Sequence, residues 1–180
     1  MEVTAPVLVE WTRDELEANI DGVLDVYAAA MGASRSEARG RRSVLTGHLG
    51  RRGLRAVAAL QYNRLVGIAY GYVGGPGQWW HDHVKAAIQA VDPELARTWL
   101  QSAFEVCELH VRPELHGTGV GRALLLQLLE GTDALTAVLT TPDVETRARR
   151  FYRAGGWVDL VSGLRFPGDP RSFAVLGLRL

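Results

Sequence analysis

The chain has 180 residues, of which 47% are hydrophobic and 22% are charged, and its 20 basic residues balance its 20 acidic residues. This composition is ordinary for a folded globular protein and excludes a disordered or fibrous chain. The zero net charge argues against recruitment to nucleic acid or to anionic lipid. We therefore expect a single domain, residues 1–180, with a sizeable hydrophobic core.

The cysteine content and the N-terminal sequence exclude further kinds of protein. Cys107 is the single cysteine, which excludes an internal disulfide framework and a cysteine-based zinc site. Residues 1–10 lack the basic and apolar regions of a signal peptide, and no apolar run is long enough for a membrane span. We therefore expect a soluble, cytoplasmic protein that contacts no membrane.

The N-terminal part predicts one strand followed by two helices. Residues 7–11 have the alternation of a first strand. Two later sequences have the spacing of capping boxes, and they pair Thr12 with Glu15 and Ser34 with Glu37. Apolar residues recur at helical spacing after each pair. The second helix is rich in arginine, which predicts a solvated helix face, with a phosphate-binding or acidic-partner patch as the alternative.

A β-hairpin and a helical insertion come next. Residues 54–60 and 65–73 are apolar and flank a short segment that contains Asn63, which is typical of a hairpin. Residues 77–101 then have a helical period, and Pro93 within them marks the start of a further helix.

The second half of the chain alternates strands and helices. The expected strands cover residues 104–111, 135–140, 157–161 and 173–180, and the expected helices cover residues 120–130 and 144–154. Strands separated by helices favour a parallel pairing in this region.

A glycine-rich turn lies between the strand that ends at Val111 and the next helix. Gly117, Gly119 and Gly121 remove side chains there, so backbone N–H groups at the helix start can face an anion directly. The helix dipole adds to this attraction. A diphosphate is the expected ligand.

Two other phosphate-binding motifs do not fit this turn. A dinucleotide-binding turn follows the first strand of its unit and has an acidic residue about twenty positions later. Here the turn comes late, and the next strand, residues 137–140, reads Ala-Val-Leu-Thr. A P-loop ends in Gly-Lys-Ser/Thr, whereas Gly121 is followed by Arg122 and Ala123.

The turn resembles the first motif of the GNAT (GCN5-related) N-acetyltransferase superfamily, Val-x-Pro-x-x-Arg/Gln-x-x-Gly-x-Gly. Val111, Pro113, Gly119 and Gly121 occupy the family's positions, and His116 stands where the family has Arg or Gln.

A second family motif, an Asn and an Ala before an aromatic-Tyr pair and a Gly-aromatic pair, also has its counterpart. Ala148, Phe151-Tyr152 and Gly156-Trp157 match it, and Glu145 stands in place of the Asn. The resemblance therefore extends over residues 105–158 and rests on two motifs at the family's separation.

The resemblance implies an α/β fold and a cosubstrate. The fold would have a central mixed, mostly antiparallel sheet of about six or seven strands, splayed between the fourth and fifth strands and flanked by helices. Acetyl-CoA, the acyl donor, would lie in that opening, with its pantetheine along the strand and its pyrophosphate on the glycine turn. The contacts carried over by position are the backbone of Leu109, His110 and Val111, then His116, Gly117, Thr118, Gly119, Val120, Gly121 and Arg122.

Proton transfer needs a base for the amine and an acid for the leaving thiolate. Glu105 and Glu108 are the candidate bases, and the resemblance to the histone-acetyltransferase branch favours Glu105. Strand alternation places the two on opposite faces. Tyr152 matches the family's usual proton donor. The alternatives are a structural or substrate-orienting role for each glutamate and simple packing for Tyr152 beside Phe151.

The helical insertion at residues 77–101 is expected to form a lid or wall over the acceptor pocket. The side chains expected to face the substrate are Trp79, His81 and His83. Alternatively, tryptophans attach the insertion to the core and both histidines are solvated, or the aromatic surface forms a homodimer contact. A metal shared by the two histidines is not expected, because residues two apart on a helix point away from each other.

The expected function is direct transfer of acetyl from acetyl-CoA to an amine of a small molecule or peptide. The alternative is a non-catalytic acyl-CoA-binding module of the same fold, acting as a sensor or in an assembly. Glu105 and Tyr152 favour the enzyme, whereas the departures at His116 and Glu145 keep the module open. A larger acyl donor, such as succinyl- or propionyl-CoA, is a further alternative.

Overall fold

The structure is a computed structural model that describes residues 4–180. Its strands are β1 Val7–Trp11, β2 Arg55–Gln61, β3 Arg64–Val73, β4 Ala103–Val111, β5 Thr136–Pro142, β6 Val158–Leu164 and β7 Phe173–Arg179. Its helices are α1 Arg13–Ala18, α2 Ile20–Met31, α3 Arg35–Gly40, α4 Arg42–His48, α5 Trp79–Val91, α6 Pro93–Leu100, α7 Val120–Leu129 and α8 Arg147–Ala154.

The strands form one mixed sheet in the order β1-β2-β3-β4-β5-β7-β6. The pairs β1–β2, β2–β3, β5–β7 and β6–β7 are antiparallel. β4 and β5 are parallel and pair over Ala103–Glu105. The predicted mixed α/β fold with a mostly antiparallel sheet is confirmed. Within the described residues, no helix combines the length and apolarity that a bilayer crossing requires.

The chain divides into two compact units, and the boundary falls within β4. The first unit extends up to Tyr72 and resumes over Val106–Gly131, and the second comprises Val73–Glu105 and Thr132–Leu180. Each unit has its own hydrophobic core. The prediction of one domain over residues 1–180 stays a prediction.

Both capping boxes are present, but each of the two helices expected after them is divided in two. The first break lies at Asn19, whose Nδ2 donates to the Glu15 carbonyl at 2.8 Å, a local bond that competes with helix continuation. The second lies at Arg41, whose N–H donates to the Ala38 carbonyl at 3.0 Å. This i→i−3 bond tightens the last turn of α3 and redirects the chain into α4.

The core of the first unit lies between the N-terminal helices and the β2–β3 hairpin. Its buried side chains include Leu16, Val23, Leu45 and Ile68. Tyr62 and Asn63 form the hairpin turn with φ values of 50° and 59°, as a type I′ turn requires. On β3, a Cβ added to Gly67 would lie 2.9 Å from Leu124 Cδ1, so this glycine lets α7 pack closely on the hairpin.

The core of the second unit joins the helical insertion to the C-terminal strands. Val84, Ile88 and Leu100 pack with Val138 and Val175. Two hydrogen bonds add to this packing: Trp80 Nε1 donates to Thr140 Oγ1 at 3.1 Å, and Thr136 Oγ1 donates to the Trp99 carbonyl at 2.8 Å. Trp80 and Trp99 therefore attach the insertion to the core, as one of the predicted alternatives states.

The helix expected from residue 144 begins three residues later. Thr146 is its N-cap, because its side chain accepts a hydrogen bond from the Arg149 N–H at 3.1 Å. An N-cap residue keeps an extended backbone outside the helix. Thr146 therefore ends the preceding loop, and α8 begins at Arg147.

The contact between Trp99 and β7 gives a test of the second core. In Gly177→Ala, the new Cβ would lie 2.6 Å from Trp99 Cε3 and 2.9 Å from Leu160 Cδ1. Overpacking of this kind costs about 1–3 kcal/mol, and we expect that loss in the free energy of urea unfolding.

Gly47→Ala is the matched control, because a Cβ at this α4 position meets no atom within 4 Å. We expect it to stabilise the protein by about 0.5–1 kcal/mol, since alanine is the better helix former. Equal unfolding midpoints for Gly177→Ala and the wild type would contradict the described packing.

Candidate active site

Glu108 and His110 form the charged part of a site on β4. They are two residues apart, so strand alternation places both side chains on one face. His110 Nε2 is hydrogen-bonded to Glu108 Oε2, and Arg41 Nη2 forms an ion pair with Glu108 Oε1. Both carboxylate oxygens of Glu108 are thus engaged within the first unit.

These contacts determine the charge states of Glu108 and Arg41. Burial opposes ionisation of Glu108, but the hydrogen bond with His110 and the positive charge of Arg41 outweigh it, so the pKa of Glu108 lies below its usual value. Burial likewise acts against the charged form of Arg41, and Glu108 overcomes that effect and raises the pKa of Arg41. At neutral pH the pair is a carboxylate and a guanidinium.

A pocket in the first unit opens onto this pair. Its lining residues are Val23, Leu24 and Tyr27 from α2, Arg41, Val44 and Leu45 from the start of α4, Tyr70 from β3, and Glu108 and His110 from β4. The walls are therefore mostly apolar, and a few polar groups converge at one place. This combination is characteristic of small-ligand sites.

The Tyr27 ring forms an aromatic wall beside the ion pair. The Arg41 guanidinium lies 4.9 Å from the ring centroid, and the His110 ring meets it edge-on at 5.2 Å. An aromatic face beside a carboxylate is a favourable environment for a cation. Arg41 therefore lines the pocket, whereas Arg35, Arg39 and Arg42 are exposed, as the prediction of a solvated arginine-rich face has it.

Tyr70 is a further polar residue of the pocket lining, and its hydroxyl contacts His48. His48 Nδ1 and Tyr70 Oη are 3.2 Å apart, and the His48 ring lies edge-on to Tyr72 at 5.1 Å. Burial, with the charge of Glu108 adding to it, raises the pKa of Tyr70. Neither residue belongs to a local sequence motif, and only the pairing of distant elements identifies them as site residues.

The glycine-rich turn follows directly from the end of β4. The Arg112 N–H donates to the Val66 carbonyl at 2.9 Å, which ties this end to β3. A 3₁₀ helix, Pro113–Leu115, comes next. His116 Nε2 then lies 2.8 Å from the Val111 carbonyl oxygen. The residue that departs from the family motif therefore bonds the turn to the strand end, and its contact with a cofactor stays a prediction.

The turn ends as an anion-binding helix start. Gly117 and Gly119 have φ values of 79° and 91°, in the left-handed region that favours glycine. Gly119 is the N-cap of α7 and makes no side-chain cap. The Ala123 N–H donates to the Gly119 carbonyl at 3.0 Å, and the N–H groups before it point out of the helix end. This geometry fits a pyrophosphate.

The second unit holds Glu105 in a buried contact with the helical insertion. Glu105 Oε1 lies 3.0 Å from His81 Nδ1, and the two residues are each 2% exposed. Gly74 makes room for this carboxylate, because an added Cβ would lie 2.3 Å from Glu105 Oε1. The alternative of solvated histidines is therefore wrong for His81. The roles of Glu105 as a base and of His81 in substrate binding stay predictions.

The other predicted residues of the second unit lie in aromatic clusters. Trp79 is 54% exposed, and its ring lies 4.4 Å from His83 and 5.2 Å from Phe166. Tyr152 is 9% exposed and packs edge-on against Phe151 and Trp157. Their predicted roles, substrate contact and proton donation, stay predictions. Among residues 4–180, no group of His, Cys, Asp and Glu side chains is suited to a metal ion.

Known proteins resemble this chain in sequence and in structure. A GCN5-like protein acetyltransferase of Mycobacterium tuberculosis is 35% identical over 200 positions, covering 96% of this chain and 97% of the relative. An acetyltransferase from Thermus thermophilus shares the fold at 16% identity, with a TM-score of 0.64 and complete coverage of both chains. A phosphinothricin acetyltransferase from Sinorhizobium meliloti, solved with acetyl-CoA, has a TM-score of 0.59 at 18% identity and covers 98% of this chain and 89% of its own.

The family assignment rests on sequence. The profile of the acetyltransferase (GNAT) family matches residues 20–156, which include the pocket, the glycine-rich turn and the second motif as far as Gly156. With this match and the M. tuberculosis relative, the chain belongs to the acetyltransferase (GNAT) family.

Proposed function

We propose that this protein is an N-acetyltransferase that transfers an acetyl group from acetyl-CoA to an amine. One observation carries the proposal: the stretch of β4 that presents the Glu108 carboxylate to the pocket is followed, after a 3₁₀ helix and the glycine turn, by the start of α7, whose geometry suits an anion. A cationic acceptor and a pyrophosphate-containing donor are the ligands that suit these two features. The S. meliloti structure is described with acetyl-CoA, which supports this donor.

The donor side consists of the backbone of β4 and the turn. We assign the pyrophosphate to the N–H groups at the start of α7, because backbone donors and the helix dipole both favour an anion there. Acetyl-CoA supplies the activated acetyl thioester. Backbone groups of residues 109–111 are assigned to the pantetheine and the thioester carbonyl, in line with the family resemblance.

The acceptor side is the pocket with Glu108 and Tyr27. A primary amine arrives as an ammonium ion, which a carboxylate and an aromatic face both attract, and it would share Glu108 and the Tyr27 ring with Arg41. Because its pKa is lowered, Glu108 binds protons weakly, so it suits the role of counter-ion better than that of base. The M. tuberculosis relative is described as a protein acetyltransferase, which favours a protein or peptide amine over a small molecule.

The remaining assignments follow the family resemblance. Glu105 is the candidate base carried over from the histone-acetyltransferase branch, and Tyr152 is the candidate donor of the proton to the leaving thiolate. Trp79 and His83 are the candidate substrate contacts on the helical insertion. The cytoplasmic location and a homodimer contact also stay predictions.

The central test measures thiol release from acetyl-CoA in the presence of amines. We expect turnover with a lysine-containing peptide, compared in one panel with a free peptide N-terminus, a diamine and an aminoglycoside. Calorimetry with CoA is run beside it. Binding of CoA without turnover on any amine would support the non-catalytic module instead, and absence of both would contradict the proposal.

The turn is tested separately through its backbone. Gly119→Ala forces an L-residue to a φ of 91°, at a conformational cost of about 1–2 kcal/mol. We expect the variant to relax away from the anion-binding geometry and to weaken CoA binding about tenfold, measured by calorimetry.

Gly168→Ala is the matched control for the backbone strain. Gly168 has a φ of 81°, and an added Cβ meets no atom within 4 Å there or at Gly119. We expect a similar loss of stability and unchanged CoA affinity. Equal CoA affinities for the two variants would argue against a pyrophosphate on this turn.

Glu108→Gln removes the pocket charge while keeping the side-chain shape. Hydrogen bonds to charged groups contribute about 1.5–3 kcal/mol, so we expect the KM for the acceptor to rise about 10- to 100-fold. Steady-state kinetics gives the KM, and CoA affinity serves as the internal control. An unchanged acceptor KM would remove Glu108 from the acceptor site.

The same variant tests the charge state. The folded-state pKa of Glu108 is below its usual value of 4.5, so its ionisation stabilises the fold above about pH 4.5, and this stabilisation is lost as the pH falls through the folded-state pKa. In Glu108→Gln, urea unfolding between pH 7 and 3 should therefore show a smaller loss of stability on acidification.

A further inference from the structure

The pocket has two candidate proton acceptors in its lining, Glu108 and His110, and they are hydrogen-bonded to each other. An acceptor ammonium must lose a proton before its nitrogen can attack. Glu108 is held by both Arg41 and His110, and its lowered pKa makes it a weak base. Because Glu108 and His110 are engaged with each other, a further group that borders the pocket is better placed to take the proton.

Tyr70 and His48 have the geometry for this transfer. Tyr70 lines the pocket and is 1% exposed, and the charges of Glu108 and Arg41 both act on its hydroxyl. Its Oη lies 3.2 Å from His48 Nδ1. His48 ends α4 and is partly exposed. A proton accepted inside the pocket thus has a two-group path to a side chain that solvent reaches.

The surroundings of His48 suit an acceptor. Its titratable and charged neighbours are Tyr70 and Tyr72 on β3, Arg51 after α4, Arg41 before α4 and Glu108 on β4. Burial is the largest influence and lowers the pKa of His48, Arg51 and Arg41 lower it further, and Glu108 opposes them. The net result lies below the usual 6.5, so His48 is neutral at pH 7 and can take up a proton.

We infer that Tyr70 and His48 form the proton path of the acceptor pocket, in which Tyr70 takes a proton from the acceptor ammonium and passes its own to His48. This inference rests on the proposed function, because it requires an amine in the pocket.

The proton balance of the step is complete. One N–H bond of the ammonium breaks, and its electron pair stays on nitrogen as the lone pair needed for attack. A new O–H bond forms on Tyr70 while the original O–H proton moves to Nδ1 of His48 in its Nε2–H tautomer. Tyr70 ends neutral, and the imidazolium of His48 releases the proton to solvent. The raised pKa of Tyr70 keeps its hydroxyl protonated between turnovers.

The experiment is the pH dependence of kcat/KM for the wild type and for His48→Gln, Tyr70→Phe and Glu105→Gln. General-base catalysis is worth about 10²- to 10⁴-fold, so we expect kcat to fall about 100-fold or more in His48→Gln and Tyr70→Phe. The acid limb of the wild-type profile should have its midpoint below 6.5 and should be absent in His48→Gln. An NMR titration of His48 should give the same midpoint.

Two controls keep a folding defect apart from a proton-transfer defect. CoA affinity should be unchanged in every variant, since the CoA assignments are to the backbone of residues 109–111 and to the turn, which none of the substitutions alters. Tyr70→Phe keeps the ring and removes only the hydroxyl, so its loss of stability should stay within that of one broken hydrogen bond. A purely structural role for His48 would lower stability and leave the pH profile in place.

Three outcomes would overturn the inference, each in a distinguishable way. A wild-type pH profile in His48→Gln would exclude His48, and loss of the acid limb in Glu105→Gln alone would assign the base to Glu105. A wild-type protein that binds CoA and acetylates no amine would overturn the proposed function itself, and the proton path with it.

Discussion

A carboxylate that is largely buried in a protein must find charged or hydrogen-bonding partners, and the partners of Glu108 organise the pocket of the first unit. Arg41 reaches it from the break between α3 and α4, and His110 reaches it from the same strand. Without Arg41, the buried charge would be poorly compensated, which is strongly destabilising. The interruption between α3 and α4 places Arg41 where its side chain can pair with Glu108. The same ion pair forms the polar end of the otherwise apolar pocket.

The two glutamates of β4 lie in different surroundings. Glu108 faces a pocket and is ionised next to a guanidinium, whereas Glu105 belongs to the second unit and is buried against His81. Gly74 is needed for the second arrangement, since any larger residue would displace the Glu105 carboxylate. Sequence position favours Glu105 as the base through the family resemblance, and the partners of the two glutamates show how their surroundings differ.

The chain belongs to the GNAT family. Family membership does not assign roles to the individual polar residues of the pocket, and these depend on the surroundings of each residue in this chain. Glu108 is suited to attract a cation, because its lowered pKa keeps it charged. His48 is suited to accept a proton, because its lowered pKa keeps it neutral. A lowered pKa thus keeps Glu108 negatively charged and keeps His48 uncharged.

The resemblance to the GNAT family supplied the mostly antiparallel α/β fold. The sequence by itself determined the order of the elements, the two capping boxes and the glycine-rich helix start. These features depend on short-range signals: hydrophobic periodicity, capping spacing and the conformational freedom of glycine act within a few residues. The same locality explains the errors. The breaks at Asn19 and Arg41 and the later start of α8 depend on individual backbone hydrogen bonds that periodicity does not reveal.

Only the tertiary structure decided which side chains form the site. Arg41 and Glu108 are 67 positions apart, and His48 and Tyr70 are 22 apart, so no local pattern relates them. Tertiary structure also gave His81 a buried carboxylate as its partner, where the sequence suggested a lid or a solvated face. Burial and the distance between charges determine ionisation, and both exist only once distant segments pack together.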